Sequence, residues 1–163
     1  MNEFAQMREA VLRALREAGL DAREAFPDLR GRRAETPVVS VAVGAMEGKR
    51  LGFCNYLGEE TGSDGRVRER YGKLLEGVIS VDVRAVRAAD CERAVERTAG
   101  VLLSGLPEGI RPGELRWEAL AWERTSEGFL RRGTLACAGL FCALDEGDGE
   151  AFLDFILKGV LRS

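Results

Sequence analysis

The clearest pattern along the chain lies between residues 73 and 85. There Leu75, Gly77, Ile79, Val81, Val83 and Ala85 alternate with Glu76, Val78, Ser80, Asp82 and Arg84. A period of two over this length predicts a long strand with one covered and one wet face, the habit of an antiparallel sheet. Pro37 opens a second run, 38–43, in which Val39, Val41 and Val43 share a face and Gly44 closes it. Residues 51–57, with Phe53 and Tyr56, form a weaker strand candidate, and a short strand around 22–26 is compatible with the pattern. Between 114 and 124, Leu115, Trp117, Ala119 and Ala121 alternate with Arg116, Glu118, Leu120 and Trp122. A reversal at 125–128 then leads into a strand over 129–144, so the two strands read as a hairpin.

Two segments have a helical period instead. In 2–18 the apolar positions Phe4, Met7, Val11, Leu12 and Leu15 recur three or four apart, with Asn2 placed to cap and Gly19 to stop the helix. In 91–104 the stripe is Cys91, Ala94, Val95, Thr98 and Leu102, with Asp90 as N-cap and Gly105-Leu106-Pro107 as the stop. Residues 20–36, rich in Arg and Asp, and 59–70, with Gly62 and Ser63-Asp64-Gly65 among alternating charges, read as exposed connections. The tail begins as an acidic linker, 145–150, and continues through 152–162 as a closing strand or helix, with strand favoured. The order α-β-(β)-β-α-β-β-(β) predicts a single α+β domain over 1–163. Its mainly antiparallel sheet carries two helices packed on one face.

Composition narrows the chemistry. The 163 residues contain no histidine, which removes Ser-His-Asp and Cys-His catalysis and every His-ligated metal site. Net charge is −3, so there is no basic footprint for nucleic acid, and no apolar run is long enough for a membrane helix. Glu3 and Glu9 interrupt the start of the chain where an export signal would need an apolar core, and the expected location is cytoplasmic.

The remaining candidates for chemistry are thin. Cys54, Cys91, Cys137 and Cys142 form no C-x2-C pair and read as small buried apolar residues. Asp145, Asp148 and Glu150 lack the length and pattern of a calcium loop. Glu59-Glu60 are adjacent, while Glu76 and Asp82 lie along a wet strand face. No phosphate-binding glycine loop occurs. Trp117 and Trp122, five apart on what reads as one strand, are expected on opposite faces. An outward tryptophan or Leu120 would be an apolar contact patch.

The ordered pieces resemble a known family. The opening helix "EFAQMREAVLRALREAG" and the strand "PVVSVAVGAMEG" precede "GFCNYLGEETGSDGRVRERYGKLLEGVISVDVRAV". The helix "DCERAVERTAGVLLSG", a hairpin and the terminal "FLDFILKGVL" follow. Together they resemble the tail terminator, or tail completion, proteins of long-tailed bacteriophages and prophages, over nearly the whole chain. The resemblance implies a structural protein without catalytic residues, metal or cofactor. It implies a ring of identical subunits, usually six, that caps the tail tube and prepares the tail for joining to the head. The implied partners are the chain itself, the tail tube protein and the head connector, with DNA met only in passage through the lumen and no membrane. The implied location is the host cytoplasm during assembly and then the virion tail.

Ring faces need polar, exposed contact residues rather than a nucleophile. The charged stretch supplies Glu59, Glu60, Asp64, Arg66, Arg68 and Arg70 as interface candidates, and Arg131 and Arg132, near Arg124, form a second group. Other readings are a different head-tail connection or minor tail protein of related fold, and a small cytoplasmic ligand-binding domain or enzyme using carboxylates such as Asp82 and Glu118.

Overall fold

The computed structural model describes residues 3–30, 32–50, 56–145 and 151–155. In chain order the elements are α1 (Glu3–Glu17), β1 (Asp21–Arg23), β2 (Val38–Arg50), β3 (Tyr56–Thr61) and β4 (Val67–Ala85). Then come α2 (Ala88–Ser104), β5 (Ile110–Trp117), β6 (Ala121–Glu123), β7 (Gly128–Asp145) and β8 (Ala151–Phe155). The strands form one sheet in the order β1-β2-β4-β7-β5, with β3 on β4 and both β6 and β8 on β7. Only the three-residue β1 runs parallel to its neighbour; the other pairings described are antiparallel. The α+β class with helices on one face is therefore the observed architecture.

The core lies between that face and the helices. Val39 and Val41 of β2, Leu75, Ile79, Val81 and Val83 of β4, and Leu135 and Cys137 of β7 meet Met7, Val11, Leu12 and Leu15 of α1. From α2 come Cys91, Ala94, Val95 and Leu102, the stripe that the 3.6 period picks out, and Thr98 is buried beside them. Met7, Leu12, Leu15, Leu75, Ile79 and Leu135 are almost fully buried, each contributing roughly 1.5–3 kcal/mol relative to exposure. α1 stops as its sequence indicates. Gly19 takes φ 85°, its N–H donates to Arg16 C=O at 2.9 Å, and Leu20 N–H donates to Leu15 C=O at 3.1 Å. This is a Schellman closure. Asn2 lies outside the described residues.

Several expectations need correction. α2 begins at Ala88 with Arg87 in the cap position and no side-chain cap, so Asp90 sits in the first turn, where its charge favours the helix dipole. Gly44 does not end β2. The strand bulges between Val43 and Met46 and continues to Arg50, because Gly77 on β4 leaves the space the bulge fills. The strand read over 114–124 is two, β5 and β6, split at 118–120. That break resets the alternation. Trp117 pairs with Gly133 and Trp122 with Phe129, four apart on β7, so the tryptophans share a face rather than opposing. Residues 151–155 are strand, as favoured; 156–162 and most of 145–150 lie outside the described residues.

The 59–70 stretch is the largest correction. It is not a loose connection but a β-hairpin, with Glu59↔Glu69, Glu60↔Arg68 and Thr61↔Val67 in register. Gly62 N–H donates to Arg66 C=O at 2.9 Å, and Gly65 closes the turn with φ 75°. β4 thus carries β2 along one part of an edge and β3 along the next, while β7 pairs along its other side from Glu69 to Ala85.

Candidate interaction surfaces

The hairpin tip is ordered by Asp64. Its carboxylate accepts from the Arg66 N–H at 3.1 Å and from Arg68 Nη2 at 3.2 Å. Asp64 and Arg68 are therefore turn-forming residues, and Glu59 and Arg66 are the exposed charges beside them. Glu60 and Arg70 hold strand positions opposite Arg68 and Gly58; their side chains lie outside those described.

Arg131 and Arg132 do not make one site, because neighbours on a strand point to opposite faces. Arg131 faces the helices, where Nη1 contacts both Glu92 carboxylate oxygens at 2.7 and 2.8 Å. Arg132 lies on the other face, across from Asp82. Burial holds the Asp82 carboxyl above its ordinary value, with Arg84 and Arg132 pulling the other way.

That other face has a feature not singled out from sequence. Residues 24–30 and 32–36 cross its end as a strap, with the Phe26 ring 5.1 Å from the Arg84 guanidinium. Arg84 Nε and Nη2 donate to the Glu123 carboxylate at 2.9 and 3.3 Å, and Nη1 donates to Ser40 Oγ at 3.2 Å. The Arg84 hydrogen bonds hold the Glu123 carboxyl below its usual range. Strap and turn 125–127 enclose a cleft of about 470 Å³ floored by this ion pair, with Arg30 and Arg32 on its wall. A second cleft of about 490 Å³ lies between the end of α1 and the start of α2. Neither Asp82 nor Glu118 lines either one. The sequence signal for the first cleft was the Arg30-Gly31-Arg32-Arg33 run; its partners are distant in sequence and carry no local mark.

Cys91 and Cys137 are buried free thiols, each pushed up to about 11 by burial. Their hydrogens have local acceptors, Val83 C=O at 3.5 Å and Met7 Sδ at 3.7 Å. Cys54 and the Cys142 side chain lie outside the described residues. Among the described residues no Cys, Asp and Glu group is arranged to hold a metal ion, and no helix is long and apolar enough to cross a membrane. What fold and surface define is an α+β domain with a helix-covered sheet and charged features at both ends of its longest strands. No family model and no curated protein matches the chain.

Proposed function

We propose that this chain is a phage or prophage tail terminator, a non-enzymatic subunit that assembles with copies of itself into a ring on the tail tube. The observation that carries the reading is the shape of the sheet. β4 and β7 run antiparallel from a charged hairpin at one end to a charged cleft at the other. A ring subunit needs contact features at separate places, and a stacking tube has no intrinsic stop until a different ring covers its end. Glu59 and Arg66 at the hairpin and the strap at the opposite end are suited to such contacts. The head connector would meet the face turned from the tube, and DNA would meet the ring only in passage.

The test is to add purified protein to polymerising tail tube protein and measure tube lengths by negative-stain imaging. Shorter tubes bearing the protein at one end support the reading. An unchanged length distribution with no end-bound protein refutes it. A role elsewhere in head-tail joining would show instead as binding to the connector without binding to tubes.

A further inference from the structure

We propose that copies of this chain join edge to edge, the outer side of β2 in one copy pairing with the outer side of β5 in the next. The proposal deepens the ring reading above and rests on its self-assembly part.

Both strands present an open edge. β1 covers β2 only at Val38–Ser40, and among the described residues no strand lies beyond Val41–Lys49 or on the far side of β5. An open edge carries a row of backbone N–H and C=O groups that recognise another strand. On β5 the bulge between Pro112 and Leu115 breaks that row and leaves its regular part at Leu115–Trp117, entered from Glu114. On β2 the bulge between Val43 and Met46 leaves Met46–Lys49 as a regular stretch of matching length.

Strand direction requires a neighbour in the same orientation. β2, β4, β7 and β5 alternate, so the two edges run in opposite directions. A copy turned about an axis along the strands extends the sheet with an antiparallel pair and keeps its helices on the same face. A contact between two different surfaces of one chain is heterologous, the type that closes into rings or runs on as filaments.

Charge fixes the register. Setting Lys49 opposite Glu114 also sets Glu47 opposite Arg116, because antiparallel partners step in opposite directions. Glu47 and Lys49 lie on the sheet face away from the helices, since their β4 partners Glu76 and Leu74 flank the buried Leu75. Arg116 lies there too, next to Leu115, which packs on the core, and its Nε donates to Glu114 at 2.8 Å on the same side. Both opposite-charge pairs therefore meet on one face. On the other face the same register brings Trp117 opposite Met46, two half-buried residues already packed on the core. All four charged residues are exposed. Lys49 now pairs with Glu76, and Glu114 with Arg116; such surface pairs contribute little, so exchanging them costs little.

The experiment is sedimentation velocity of the full chain over a concentration series, with variants confirmed as folded by circular dichroism. One variant reverses the β2 edge, Glu47→Lys with Lys49→Glu. A second reverses the β5 edge, Glu114→Lys with Arg116→Glu, and a third combines all four changes. The wild type is expected to self-associate. Each reversal sets like charges opposite each other twice and should weaken association about tenfold. The combined variant restores both pairs and should associate as the wild type does. A monomeric wild type, reversals without effect, an effect confined to one edge, or a combined variant that stays dissociated overturns the proposal. A chain that associates through this contact yet leaves tubes uncapped rejects only the terminator reading. One that caps tubes while indifferent to both reversals rejects only this contact.

Discussion

Arg84 reaches across β7 to hold Glu123 of β6 with two hydrogen bonds, at 2.9 and 3.3 Å. Gly128, paired with Glu123, puts no side chain into that row, and a Cβ there would come within 2.7 Å of Ala85 C=O. Both partners are mostly shielded, at 16% and 19% side-chain exposure, so this pair is screened less than the other ion pairs among the described residues. Glu123→Gln leaves the guanidinium with a neutral acceptor and should cost about 1–3 kcal/mol in urea unfolding at pH 7. Because the folded state lowers the Glu123 pKa from its ordinary 4.5, the stabilisation is present above 4.5 and fades as pH falls through the lower folded value. The gap between wild type and variant should close over that acidic window. A gap that persists there would mean the loss is one of packing, not charge.

Asp82 has the opposite sign. Burial raises its carboxyl above 3.8, so the folded state binds the proton more tightly and the ionised side chain opposes folding at neutral pH. Asp82→Asn should therefore be more stable than wild type at pH 7. The advantage should shrink as pH falls through the raised value and vanish below 3.8, where wild type is protonated in both states. A less stable Asn variant at pH 7 would show that attraction from Arg84 and Arg132 outweighs burial.

Two glycines separate close approach from helix propensity. A Cβ on Gly77 would lie 2.4 Å from Ala45 C=O and 2.7 Å from Met46 Cα, both in the bulged part of β2. Backbone cannot yield as a side-chain tip can, so Gly77→Ala should lose roughly 2 kcal/mol or more. Gly100 lies inside α2 with nothing within 4 Å of an added Cβ, and Gly100→Ala should gain about 0.5–1 kcal/mol. Thermal unfolding of both variants checks the pair; equal shifts would contradict the bulge account.

The legible parts of the fold were those where burial imposes a period. β4 from Leu75 to Ala85 and the α2 stripe through Leu102 could be read because the same layer covers every second or every third to fourth residue. The β3–β4 hairpin could not. Glu59, Val67 and Glu69 are all exposed, so no apolar alternation marks it and only the Gly62–Gly65 turn chemistry remains. The tryptophan parity failed for a different reason: a break at 118–120 is invisible to a period count, although the Trp117 ring settles over Gly133, with Cζ3 2.6 Å from where a Cβ would be. Arg131 and Arg132 were separated by the same alternation that β7 displays. The cleft joins residues from 26 to 127, and its Arg84–Glu123 floor has no local sequence mark.

The hairpin charges give the last prediction. Asp64 and Arg68 build the turn, so replacing them would confound contact with folding. Glu59→Lys with Arg66→Glu changes two exposed residues instead. Glu59 faces Glu69 directly across the ladder, and a lysine there turns a like-charge pair into an opposite one, adding a few tenths of a kcal/mol. The double variant should therefore fold with stability within about 0.5 kcal/mol of wild type. If the hairpin contacts a neighbouring ring, tubes assembled with this variant should lose length control. A folded variant that still yields tubes of normal length removes the hairpin from the contact surface.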